Sequence, residues 1–148
     1  MILISHRGNI SGENKVYENS PGYVLDAIKQ GYDVEIDVRM VSGKWYLGHD
    51  EPEYVVDDLF LQNDRFWCHA KNIDALYGLL DLGVKCFWHQ KDKYTLTSNG
   101  FIWTYPGFEL TNKSICVMPE MRAKIYQNFD KCAGICSDKI EEYRGIND

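Results

Sequence analysis

The chain opens on a short apolar run, Leu3, Ile4 and Ser5, which breaks at His6-Arg7-Gly8 into a polar loop. Such a run predicts a buried strand that surfaces at its histidine. Ser20-Pro21, then residues 22–30 and Gly31, predict a helix with serine at the N-cap, proline in the first turn and glycine past the end. Val24, Leu25, Ala27 and Ile28 would supply its buried stripe. In YDVEIDVRM (32–40), Val34, Ile36 and Val38 alternate with Glu35, Asp37 and Arg39, a period of two that predicts a strand with one charged face. SGK at 42–44 predicts a tight turn into a partner strand, WYLGHD, from whose end His49 emerges.

After a polar link, FWCHAK (66–71) predicts a strand, and NIDALYGLLDLG a helix capped by Asn72 and stopped by Gly83. VKCFWHQ predicts another strand. Strands followed in this way by helices suggest parallel βα units. Regularity then weakens: Asn99-Gly100 inside KYTLTSNGFIWTY predicts a hairpin, SICVM a strand, PEMRAKIYQNF a helix, AGICSD a last strand and KIEEYR a brief polar helix. With no internal repeat, low-complexity run or linker, residues 1–148 are read as one domain.

Composition narrows the function classes. A net charge of −6 and a pI near 5.2 argue against the basic footprint that nucleic-acid binding needs. A few local cations can still hold a small anion. The five cysteines (Cys68, Cys86, Cys116, Cys132, Cys136) are odd in number and lack a CxxC, so they are read as free thiols in a reducing compartment. The absence of a signal-like segment or of an apolar run of about 20 residues predicts a cytoplasmic protein with no membrane span.

Four positions invite joint weighing: His6 after the first strand, Glu35 and Asp37 on one face of the second, and His49 after the hairpin. Carboxylates two apart on a strand project side by side and repel unless a cation sits between them. A hard divalent ion is the simplest such cation, and two histidines beside it suggest a general base and a general acid.

The ordered set SHRG, ENS, EIDVR and GHD resembles, over about residues 3 to 50, the opening of the glycerophosphodiester phosphodiesterases. That family belongs to the phosphatidylinositol phospholipase C-like phosphodiesterase barrels. FWCHAKN resembles the family's third strand more weakly, and GICSD its closing strand. The resemblance implies an α/β fold, a reduced TIM-like (β/α) barrel, that hydrolyses a glycerol- or sugar-linked phosphodiester with one divalent metal. Mg²⁺ or Ca²⁺ comes first and Mn²⁺ next. It implies that His6 and His49 are the acid–base pair, that Glu35 and Asp37 are metal ligands, that Arg7 and Lys71 meet the phosphate, and that Glu18 and Asn19 support the site.

The chain departs from that pattern in two ways. His69 stands where the family offers a third acidic ligand, so the metal set is either changed, with a preference moved towards Mn²⁺ or Zn²⁺, or completed elsewhere, with Glu120 the candidate. The length is also short for a barrel of about 250 residues, so several helices must be missing from the second half. The aromatic residues Trp88, Trp103, Tyr105 and Phe108 on that helix-poor flank would suit contact with a second copy. Two other readings stay open: a non-catalytic barrel that binds a phosphorylated ligand, and an interaction subunit.

Overall fold

The computed structural model describes residues 1–122 and 129–146. Its elements in chain order are β1 (Ile2–His6), α1 (Pro21–Lys29), β2 (Asp33–Val41), β3 (Lys44–Leu47), β4 (Tyr54–Val56), α2 (Asp58–Leu61), β5 (Phe66–Ala70), α3 (Ile73–Leu82), β6 (Cys86–Phe87), β7 (Tyr94–Leu96), β8 (Ile102–Thr104), β9 (Ser114–Val117) and β10 (Gly134–Ser137). Short 3₁₀ turns follow β9 (Pro119–Arg122) and β10 (Ile140–Tyr143). The helix expected over PEMRAKIYQNF begins as the first of these turns, and its residues 123–128 lie outside the described residues.

The local rules account for most of these elements. Pro21 opens α1, but the Ser20 hydroxyl donates to the Tyr17 carbonyl at 2.8 Å rather than capping the helix, and Leu25 faces solvent instead of joining Val24 and Ala27 in the core. Asn72 caps α3 as expected, accepting from the Ala75 N–H at 3.0 Å. It also ties the helix to β2, accepting from the Met40 N–H at 3.2 Å and donating to the Met40 carbonyl at 2.9 Å. Gly83 ends the helix in the left-handed region with φ 71°. The stretch passed over as a polar link forms β4, paired antiparallel to β3, and the single turn α2.

The expected alternating (β/α) barrel does not form. The sheet is mixed: a parallel run β6-β5-β2-β1-β10-β9-β8 carries antiparallel hairpin strands, β3 and β4 beside β2 and β7 beside β8. Among the described residues there are three α-helices, one of them only four residues long, and no pairing joins β6 to β8. The result is a strand-rich α/β half-barrel. Hairpins cause the difference, since residues that a barrel would spend on crossover helices form β3–β4 and β7–β8. The free edge of β6 is met by Ser98, whose N–H donates to the Cys86 carbonyl at 2.8 Å and whose hydroxyl accepts from the Cys86 N–H at 2.8 Å.

Period two sorts the strands' side chains between two faces. Val34, Ile36 and Val38 of β2 and Phe66, Cys68 and Ala70 of β5 pack outward under α1 and α3. The inner face carries Ile4, Trp67, Phe87, Trp103, Ile115 and Cys136 at its floor. Trp103 is therefore core, with 3% of its surface exposed, and not part of an aromatic contact surface. All five cysteines are free, four of them buried. Among the described residues no helix is long and apolar enough to cross a membrane.

A close backbone approach lies where β10 meets β1. A Cβ on Gly134 would stand 2.6 Å from the Ile2 carbonyl oxygen and 2.8 Å from Ile2 Cβ, whereas one on Gly22 would meet nothing within 4 Å. Gly134→Ala is expected to cost about 1–3 kcal/mol in urea unfolding, and Gly22→Ala, on the first turn of α1, to be neutral or stabilising by up to about 1 kcal/mol.

Candidate active site

The parallel register assembles the site at the carboxyl ends of the strands. His6 pairs with Glu35 across β1 and β2, and Asp37 with His69 across β2 and β5. All four project from the inner face, above the apolar floor. β2 outruns β1, and β3 takes the vacated edge by pairing with residues Val38 to Val41. Running back along that edge, β3 delivers Gly48, whose N–H donates to the Asp37 carbonyl at 3.1 Å, and then His49. Glycine is required at 48, because a Cβ there would stand 2.0 Å from the Glu51 carbonyl oxygen. Arg39 fixes this turn: Nε donates to the Gly48 carbonyl at 3.0 Å and Nη2 to that of His49.

Glu35 and Asp37 are 1% and 0% exposed, so their charges must be met inside the protein. Asp37 is met on one side. Its Oδ2 accepts from Asn19 Nδ2 at 2.9 Å and lies 3.0 Å from Arg7 Nε, an ion pair without hydrogen-bond alignment, while its own N–H donates to Asn19 Oδ1 at 3.0 Å. Burial alone would raise the Asp37 pKa; the Arg7 charge, the His69 ring and the Asn19 hydrogen bond together hold it below the usual carboxylate value. Glu18 holds Arg7 in turn, accepting from Nη1 at 3.1 Å. Arg7 and Asn19 both take left-handed backbone, φ 58° and 62°, and the Asn19 N–H donates to the Arg7 carbonyl at 3.0 Å. Glu18 thus braces Arg7, and Asn19 braces Asp37.

The other side of the cluster has oxygens with no partner. Glu35 Oε2 and Asp37 Oδ1 are buried without a hydrogen bond. His69 Nδ1 lies 3.6 Å from Glu35 Oε1 and 3.4 Å from Asp37 Oδ1. Its Nε2 lies 2.8 Å from the His89 carbonyl, which can only accept. Nε2 therefore carries the proton, and in the neutral ring the Nδ1 lone pair faces two carboxylates. Three such atoms, all within 4.8 Å of one another, fit a divalent ion bound on one side and open on the other. His69 thus falls within the candidate metal set. Glu120 is committed elsewhere: it accepts from the Ser137 hydroxyl at 2.8 Å, the Asp138 N–H at 3.3 Å and the Tyr143 hydroxyl at 3.4 Å, and so ties the end of β10 to the turns around it.

Beside this cluster stands a pair that the sequence reading missed. His6 Nδ1 donates to Asp138 Oδ1 at 2.7 Å, leaving Nε2 bare in the neutral ring, 3.7 Å from Glu35 Oε2. Asn9 Nδ2 also donates to Asp138 Oδ1, at 2.8 Å. Burial works to lower the His6 pKa, but the Asp138 hydrogen bond and the Glu35 charge outweigh it and raise it above the ordinary imidazole value. Burial likewise works to raise the Asp138 carboxyl, and the His6 hydrogen bond and charge hold it low. The signal was in the register: Ser5 pairs with Ser137, which puts the next residue of each strand side by side.

A cavity of about 370 Å³ is lined by His6, Arg7, Glu35, His49, His69 and Lys71, together with His89 and a set of less polar residues. His49 stands at its mouth, its side chain 40% exposed and its Nδ1 2.8 Å from Asp50 Oδ1. His89 faces Thr95 Oγ1 at 3.0 Å; burial and the neighbouring His69 lower its pKa. Compared with family models, with curated proteins and with solved structures, the chain gives no match, so the resemblance to glycerophosphodiester phosphodiesterases rests on its short motifs.

Replacing Asp138 by asparagine removes the carboxylate that favours imidazolium. The expected outcome is an acid-ward shift of the His6 titration, followed by NMR of its ring protons in metal-free protein. Because the folded pKa of His6 exceeds its unfolded value, its stabilisation is full below the unfolded pKa and is lost as pH rises through the folded one. The stability gap between wild type and Asp138→Asn in urea unfolding should therefore be wider near about pH 5.5 than near about pH 8.5.

Proposed function

We propose that the protein is a divalent-metal-dependent phosphodiesterase acting on a small glycerol- or sugar-linked phosphodiester. The observation that carries this reading is the Glu35–Asp37–His69 triplet, with two buried carboxylates that have unpartnered oxygens, set beside the His6–Asp138 pair at one cavity. An ion held by the triplet supplies positive charge to phosphoryl oxygens. The carboxylates favour Mg²⁺ or Ca²⁺, and the imidazole of His69 moves the preference towards Mn²⁺.

The chain's own groups divide the remaining work. Arg7 and Lys71 line the cavity and bring cations to the phosphate. His6, oriented through Nδ1 by Asp138, takes the proton of the attacking hydroxyl on Nε2 as the new P–O bond forms. That hydroxyl belongs to water or to the substrate's neighbouring carbon, which would give a cyclic phosphate that water then opens. His49 gives its proton to the departing alkoxide as the old P–O bond breaks. Free thiols suit a reducing compartment such as the cytoplasm.

The test is hydrolysis of a panel of glycerophosphodiesters with Mg²⁺, Ca²⁺, Mn²⁺ or chelator, read beside thermal unfolding with the same ions. Ion-dependent turnover is expected, falling at least about a hundredfold in His6→Ala. The melting temperature is expected to rise with the active ion, and this rise should vanish in a Glu35→Gln, Asp37→Asn double variant. Ligand binding with no turnover under any ion would instead indicate a phosphoryl-binding protein.

A further inference from the structure

The two walls of the cavity differ in chemistry. The charged wall comes from the ends of β1, β2 and β5 and from His49. The facing wall comes from the ends of β8 and β9 and the turn after β9: Trp103, Tyr105, Pro106, Val117, Met118 and Met121. Its base is rigid, with Trp103 packed at 4.5 Å between ring centroids on Phe87. Its rim is open and adaptable, with Tyr105 40% and Met121 62% exposed. Met118 takes left-handed backbone at φ 47°, and its N–H donates to the Cys136 carbonyl at 2.7 Å, which pins the turn against β10.

A second cavity, of about 300 Å³, lies across Arg7 and His49, which line both. Glu13, Lys15, Glu18 and Glu53 make this second lobe polar and charged. A phosphate at the junction would have its two ester arms directed into unlike surroundings. Hydroxyl groups suit the polar lobe, whereas methionine, valine and proline side chains give a polyol no hydrogen-bond partner and favour an aliphatic chain.

We infer that the substrate is a phosphodiester of two unlike alcohols, a polyol arm in the lobe bounded by Glu13 and Glu53 and an aliphatic arm against Tyr105, Met118 and Met121. This assignment rests on the phosphodiesterase reading above for its phosphate. The aliphatic lobe can still be tested without turnover.

The experiment measures, by calorimetry with Mn²⁺ present, the affinity of methyl, butyl and hexyl phosphate for wild type and for a Tyr105→Ser, Met121→Ser double variant. It is paired with hydrolysis of the methyl and hexyl esters of glycerol phosphate. A fully buried methylene strengthens binding about fourfold and a half-exposed one about twofold. Hexyl phosphate is therefore expected to bind wild type at least about tenfold more tightly than methyl phosphate, with most of that ratio lost in the variant. Both altered side chains are exposed, so the variant should fold; its unfolding curve checks this. Equal affinity along the series in wild type overturns the inference, as does a chain-length dependence that the variant leaves intact. Chain-length-dependent binding with no hydrolysis of either ester would overturn the phosphodiesterase reading while upholding the aliphatic lobe.

Discussion

Everything at this site follows from two carboxylates placed two residues apart on the inner face of β2 and buried there. Buried charge is tolerated only when it is met by opposite charge and hydrogen bonds. The first loop supplies these for Asp37 Oδ2 alone, through Arg7 and Asn19, and both residues take left-handed backbone to do so. Glu35 Oε2 and Asp37 Oδ1 are left without a hydrogen bond, and Glu35 Oε1 and Asp37 Oδ1 face the His69 ring. A structure that satisfies one half of a carboxylate pair so fully and leaves the other half bare concentrates its unmet negative charge at one point. That point lies between β2 and β5, beside the cavity.

The strand-rich half-barrel serves this arrangement without a full ring of helices. Parallel neighbours place residues of equal register on one side of the sheet, so His6 meets Glu35 and Asp37 meets His69 whatever covers the outside. The hairpin then does what a crossover helix cannot. By occupying the edge of β2 beyond the end of β1, β3 returns the chain over the site and leaves His49 at its mouth. Arg39 holds that return by donating to two successive carbonyls. The same economy has a consequence at the far side. With β6 only two residues long and β7 paired only to β8, the strand ends opposite the carboxylates rise as an apolar wall and not as further charge.

Local elements were legible because their signals are local. The alternation of β2, the Asn72 and Gly83 boundaries of α3 and the Asn99-Gly100 turn each occupy a few adjacent residues. The convergence of His6, Glu35, His49 and Lys71 on one cavity was legible too, since motif order fixed which strand ends were involved. The fold class was misread because the first half does contain two strand, helix, strand units, β1–α1–β2 and β5–α3–β6, and nothing in them tells whether later strands will be joined by helices or hairpins. Asp138 was missed for a related reason. It meets His6 across 132 positions of sequence, and only the pairing of β1 with β10 shows it. Leu25 shows the smaller error: an apolar residue in a helical stripe can still face water.

His69 changes the electrostatics more than the geometry. Three carboxylates around a divalent ion would leave the site negative and would oppose a phosphodiester anion. Two carboxylates and a neutral imidazole would just cancel the charge of a divalent ion, one negative charge fewer than three carboxylates would leave, while Arg7 is already paired with Asp37 and Glu18. The His89 carbonyl is what keeps the imidazole in its useful form, because by accepting from Nε2 it turns the lone pair of Nδ1 towards Glu35 and Asp37. Under the phosphodiesterase reading, the substitution therefore weakens the grip on a hard ion and strengthens the grip on the anion. The two effects are separable, since the first depends on the ligand atom of residue 69 and the second on the net charge left when the three ligands are summed.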